Sequence, residues 1–303
     1  MNPRLIEIPE TLPCVGRDRL SHRFAPLLRV MVAFHRTKRR LRWLFGRETY
    51  AGAREAESLP FRAHRHSSLL LRRLGDSDPR LQVNKITNLR IVASVLDGLL
   101  IRPGETFSFC RLVGRPTRTR GFVEGLELSR GQARQGVGGG ICQAANLLHW
   151  LVLHSPLTVV ERRQHSFDPF PDEGRIIPFG TGAAIFYNYV DYQFHNPTPR
   201  TFQIRLWLTE KTLEGDLRCS AELEHKYRVR ERNHAFLKIG PRFYRTNEIW
   251  RIRTLKCRSV PDSETLMTRN FALLKYGPKE YQEVPPGQRT FIPGGGEAPE
   301  ADS

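Results

Sequence analysis

The chain is short of cysteine, lysine and long apolar runs, and each shortage removes a class of protein. Its five cysteines, Cys14, Cys110, Cys142, Cys219 and Cys257, are scattered through 303 residues, odd in number and free of any CxxC pair. That pattern excludes a disulfide framework and a zinc-binding cysteine set, and it leaves reduced thiols. No stretch approaches the roughly 18 uninterrupted apolar residues of a membrane-spanning helix. The opening MNPRLIEIPETLPCVGRDRL also lacks the short apolar core of a secretion signal. A cytoplasmic protein is predicted, with no cofactor and no metal expected.

Lysine supplies only eight of the 48 Lys plus Arg residues, which outnumber the 31 Asp plus Glu to give a net charge of +17. Such an excess attracts nucleic acid or an anionic membrane face, although an arginine bias this one-sided also follows from codon composition. No nucleic-acid motif accompanies it, and no nucleic-acid partner is expected. With 39% hydrophobic and 10% aromatic residues, the chain has enough apolar side chains for one large domain or two small ones.

Four stretches differ in character. Residues 1–80 contain FAPLLRVMVAFHRTKRRLRWLFGR, in which an apolar run precedes arginines interleaved with Trp43, Leu44 and Phe45. It reads as a basic amphipathic helix within residues 22–47, which either lies on an anionic bilayer surface or packs on the domain with a solvated basic face.

Residues 81–225 are predicted as the core domain. Ile86, Leu89, Val92, Val95, Leu96 and Leu99 follow a 3.6-residue period and predict a helix of four turns. ETFSFCRLVG reads as a strand burying Phe107, Phe109 and Leu112, and LTVVE as another. HNPTPR is expected to turn between two long antiparallel strands. Residues 226–282 read as a basic, less regular extension, and 283–303 as a disordered tail. The fold class is α+β, with buried helices packed against an antiparallel β-sheet.

The densest signal is GQARQGVGGGICQAANLLHWLVLHSP, residues 131–156. Leu147, Leu148, Trp150, Leu151 and Leu153 make the run after Gly140 a buried helix, with Cys142 in its first turn. A thiol there meets the positive end of the helix dipole, which favours the thiolate. Gly138, Gly139 and Gly140 allow backbone N–H groups to approach an acyl oxygen or carboxylate. The alternative is a flexible turn and a small buried cysteine.

His165 follows at the end of the next strand as a candidate base, with His149 on the helix as its rival. Asp191 is the candidate to orient the imidazole, against Asp168 and Asn196. Gln143 and Asn146 complete the candidate substrate contacts. A cysteine opening a helix that packs on an antiparallel sheet bearing a histidine is similar to the order of elements in papain-like and transglutaminase-like hydrolases.

Three blocks, NLRIVASVLDGLLIRPGETFSF, GGGICQAANLLHWLVLHSPLTVVERRQHSFDPFP and YVDYQFHN, together resemble the VanW family, whose founding member accompanies inducible vancomycin resistance genes. The resemblance spans about residues 82 to 198, and its most specific part is the GGGxCQ–xxNLL block. Where the family pattern reads E-R-H-x-H, this chain has Glu161-Arg162-Arg163-Gln164-His165, so only the second histidine keeps its place. The resemblance implies a link to cell-wall precursor metabolism or antibiotic response, without supplying a reaction. Two functions follow from it. One is a cysteine-dependent hydrolase or acyl transferase acting on a peptidoglycan-precursor peptide. The other is a non-catalytic protein at the inner membrane face that binds such a peptide or another carboxylate ligand.

Overall fold

Asp78 sets where the first core helix begins: its carboxylate accepts from the Arg80 backbone N–H at 2.9 Å, and Pro79 occupies the first helical position, where a missing N–H costs nothing. In the computed structural model, residues 6–10, 12–13, 25–71, 78–129, 132–164, 167–168, 171, 176–285 and 287–291 are described. Their elements in chain order begin with β1 (Ile6–Glu7), α1 (Ala25–Phe45), β2 (Phe61–Leu69), α2 (Pro79–Leu96), β3 (Leu100–Ile101), β4 (Thr106–Ser108) and α3 (Phe109–Val113). The hairpin β5 (Glu124–Ser129) and β6 (Gln132–Val137) leads into α4 (Cys142–Leu153), β7 (Thr158–Glu161), β8 (Phe167–Asp168) and β9 (Gln193–His195). The remainder is all strand: β10 (Phe202–Leu208), β11 (Thr212–Cys219), β12 (His225–Ile239), β13 (Arg242–Leu255), β14 (Ser263–Leu274), β15 (Gln282–Val284) and β16 (Thr290–Phe291).

A mixed α+β architecture results, with predominantly antiparallel sheets. The sheet β2-β11-β10-β3 turns Phe202, Ile204 and Leu206 of β10 and Leu213 and Leu217 of β11 toward Leu89, Val92 and Leu96 of α2 and Leu147 and Leu151 of α4. α4 reaches the sheet closely because Gly215 of β11 has no side chain; a Cβ there would stand 2.2 Å from Leu147 Cδ2. Ala51 and Leu70 belong to the same core, and β2 is an edge strand paired to β11 from Leu69↔Thr212 to Phe61↔Cys219. The core therefore extends upstream of residue 80, because β11 would otherwise expose its outer ladder.

Several sequence expectations need correction. HNPTPR does not join two paired strands: β9 pairs with β4 and β7, whereas β10 pairs with β11 and β3. Phe107 and Phe109 are buried, but only Thr106–Ser108 is strand. Ser108 caps the short helix α3 instead, accepting from the Arg111 backbone N–H.

The stretch read as irregular is the most extended sheet of the protein, β15-β12-β13-β14-β8, with strands of 15, 14 and 12 residues at its centre. Gly240, at φ 57°, makes the tight turn between β12 and β13. Asn233, at φ 55°, sits in a bulge where the register to β13 shifts by one residue. Upstream of the bulge Val229 packs with Trp150, Leu153 and Ile249. Downstream, Ala235, Leu237 and Ile239 pack with Tyr244, Leu273, Val284 and Phe291. Ile249 and Tyr244, five residues apart on β13, face opposite ways by strand alternation, so the sheet is covered on both faces. The segment expected as a tail also pairs: β15 runs parallel to β12, and β16 antiparallel to β1. Cys14, Phe24 and residues 292–303 lie outside the described residues.

Candidate functional site

The glycine run before α4 is a packing joint. Gly138 and Gly140 adopt φ 84° and 90°, the left-handed region that favours glycine. All three positions are also crowded. A Cβ on Gly138 would meet Pro116 at 2.5 Å, one on Gly139 the Gly125 carbonyl carbon at 2.2 Å, and one on Gly140 the Lys85 side chain at 2.1 Å. The Gly138 N–H donates to Val123 O at 2.9 Å and the Gly139 N–H to Gly136 O at 3.0 Å. Asn88 of α2 donates to Gly139 O at 2.9 Å. Two of the amides expected to polarise a substrate carbonyl are thus engaged within the fold.

Cys142 opens α4 as expected. The half-buried residue points its Sγ at Ile185 O, 3.9 Å away. Burial pushes the thiol up from its ordinary value, and the Glu127 carboxylate adds to this; backbone groups at Ile185 and Cys142 oppose it without prevailing. The direction is opposite to the expected depression because burial disfavours the charged thiolate more than the nearby backbone groups favour it.

Gln143 Nε2 donates to Ser68 Oγ at 2.8 Å and Leu69 O at 2.9 Å, tying α4 to the end of β2. Asn146 Oδ1 accepts from the Ala183 N–H at 2.7 Å. Both side chains use these groups to hold the helix.

His149 is buried, its Nδ1 3.3 Å from Tyr192 Oη. Burial, helped by the Arg162 charge, holds the imidazole well below its ordinary value, and burial pushes the Tyr192 phenol up. His165, the favoured base, lies outside the described residues, which stop at Gln164 and resume at Phe167.

The three candidates for the orienting group are all placed. Asp191 accepts from Ser108 Oγ at 2.6 Å and from the Cys110 N–H, the Tyr192 N–H and Gln193 Nε2 at 2.8 Å each. Burial raises its carboxyl despite these bonds. Asp168 forms a buried ion pair with Arg245 at 3.1 Å and accepts from Tyr276 Oη at 3.2 Å. Asn196 donates to Ile101 O and Arg200 O at 2.9 and 2.7 Å, shaping the turn after β9. Among the described residues these three groups hold strands and turns together.

Two features escaped the sequence reading. The Arg162 guanidinium is drawn inward to donate to Gly180 O at 2.7 Å, Gly182 O at 2.8 Å and Thr268 Oγ1 at 3.1 Å, stitching the chain after β7 to β14. The second is a histidine cluster. His64 of β2 stacks on His154 at the end of α4 with ring centroids 3.9 Å apart, and Trp150 stands 4.6 Å from His154 and 5.9 Å from His66. Burial takes His64 down to about 3 and His154 to about 4. The alternation in FRAHRHSS, which puts His64 and His66 on one strand face, was the available signal. Among the described residues no group of three or more His, Cys, Asp or Glu is arranged to hold a metal ion.

Comparison with known proteins fits this frame. A family profile described as "VanW like protein" matches residues 84–218, from the second turn of α2 to the end of β11. The chain is 32% identical over 119 residues to the uncharacterized protein YoaR of Bacillus subtilis, covering 39% of this chain and 37% of that one. It is 30% identical over 255 residues to the vancomycin B-type resistance protein VanW of Enterococcus faecalis, covering 84% of this chain and 93% of that protein. No solved structure matches it. The glycine joint, Cys142, Asn146 and the buried Asp191 all fall inside the matched span, and with this extent of similarity the chain belongs to the VanW family.

Proposed function

We propose that this protein takes part in vancomycin resistance as an accessory protein that binds an anionic cell-wall precursor peptide without transforming it. The role in resistance is inferred from the relative in Enterococcus faecalis, whose similarity runs through 84% of the chain. The non-catalytic reading is carried by Cys142: a thiol facing a carbonyl oxygen, with burial favouring its protonated form, is a poor nucleophile. The engaged amides of Gly138 and Gly139 support the same reading. The net charge of +17 suits a carboxylate-bearing ligand.

A second reading, a papain- or transglutaminase-like hydrolase or acyl transferase using Cys142 and His165, rests on the position of Cys142 as the first residue of a buried helix that packs against β2 and β11. Complementation separates the two. In a host lacking the gene, Cys142→Ala should restore vancomycin tolerance as well as the native protein does under the accessory reading. Failure of a folded Cys142→Ala protein, with success of the native one, would establish the enzyme instead.

A further inference from the structure

Helix α1 meets the domain through its polar side. Arg39 donates to both carboxylate oxygens of Glu161 at 2.5 and 2.6 Å. His35 stands edge-on to Tyr189 at 5.0 Å, and Arg36 lies over the Tyr187 ring at 5.7 Å. Most of the large apolar side chains of α1 face out: Val30, Met31, Phe34, Leu41, Leu44 and Phe45 are exposed, Leu44 by 72% and Phe45 by 81%, while Val32 and Trp43 are half-buried. At helical spacing all the exposed ones but Met31 fall within a stripe about 100° wide, with Met31 at its border. A helix packed to build a core would show the reverse.

Charge identifies what covers that stripe. α1 contains no Asp or Glu, and the exposed Lys38, Arg40 and Arg42 border the apolar face. A second copy of the chain seated there would set these cations against their own kind, which costs free energy. An anionic surface matches them. The patch is also continuous with a neighbouring loop: exposed Phe186 packs edge-on to Tyr189 at 5.9 Å, Tyr189 meets His35, and His35 meets Phe34 at 5.7 Å. No helix among the described residues is long and apolar enough to cross a membrane, and α1 carries cations along its length.

We propose that the outward face of α1, together with Phe186, docks flat on a lipid bilayer bearing anionic headgroups. Phe34, Leu41, Leu44 and Phe45 enter the boundary between headgroups and acyl chains, while Lys38 and Arg40 extend along it to reach phosphates. Because Ile185 O receives the Cys142 thiol and Phe186 is the next residue, docking brings the start of α4 toward the membrane surface.

Co-sedimentation of the full chain with vesicles tests this. Vesicles of equal parts phosphatidylglycerol and phosphatidylcholine should bind at least about tenfold more tightly than phosphatidylcholine alone, and binding should weaken as salt rises. The pair Leu44→Ser and Phe45→Ser, at exposed positions whose loss leaves the core intact, should reduce binding about tenfold with an unchanged circular dichroism spectrum. Lys38→Gln with Arg40→Gln should remove most of the preference for anionic lipid while leaving the apolar stripe in place. Equal binding to both vesicle types, or binding indifferent to all four substitutions, overturns the proposal. So does a dimer that the serine pair dissolves in a protein that binds no vesicles.

Discussion

At Cys142 and Asp191 burial disfavours the charged form of two different groups, a thiol and a carboxyl. In the folded protein Cys142 should react with iodoacetamide at neutral pH more slowly than the exposed Cys257, as followed by mass spectrometry, because its thiolate is disfavoured. Faster labelling at Cys142 would restore the nucleophile. Asp191 is the more sensitive position structurally. Asp191→Ala strips the acceptor from Ser108, Cys110, Tyr192 and Gln193 at once, and a buried unsatisfied donor costs about 1–3 kcal/mol. The expected loss in urea unfolding is roughly 3 kcal/mol or more. A loss confined to activity, with unchanged stability, would instead place Asp191 in the chemistry.

At the scale of elements, β2 and α4 are held together by a contact that depends on proton concentration. An unfolded histidine titrates near about 6.5, whereas His64 and His154 are lowered to about 3 and about 4 in the fold. In the interval between, the unfolded chain binds more protons. Stability from this contact is therefore complete above the unfolded value and is lost as pH falls toward the folded ones. Calorimetry should show the melting temperature dropping between pH about 6.5 and about 4, with a shallower drop in His64→Gln. The Arg39–Glu161 ion pair ties α1 to the domain. Arg39→Ala should cost about 1–3 kcal/mol and speed tryptic cleavage within residues 36–42.

The helices α2 and α4 were legible in the sequence because each repeats apolar residues on one face and buries that face. β12 to β14 were not, because inward positions hold Arg245, Asn247, Glu248 and Asn270, whose partners come from distant parts of the chain. Asn247 reaches Phe179 O, and Arg245 reaches Asp168. The glycine run was visible as a departure from ordinary composition. Its cause was hidden, since the strand that crowds Gly139 contributes a glycine of its own, Gly125.

For the whole molecule, the span shared with the family profile, residues 84–218, is predicted not to fold by itself. It lacks β2, with Ala51 and Leu70 of the core. It also lacks Arg251, whose guanidinium donates to Ser155 O and Leu157 O at 2.9 and 3.1 Å. A fragment of residues 84–218 should melt without a cooperative transition, whereas residues 25–291 should melt with one; a sharp transition in the short fragment would show that the long sheet is an ornament. The bulge at Asn233 says why it is more than that. β12 serves one core before the bulge and another, on the opposite side of the sheet, after it. The extra residue works as a phase change in a two-beat rhythm. Deleting Asn233 would straighten the ladder, with His234 alone opposite Asn247 and Ala235 to Ile239 still opposite Thr246 to Arg242, so the loss of one residue would take the bend out of the sheet and leave both cores in place.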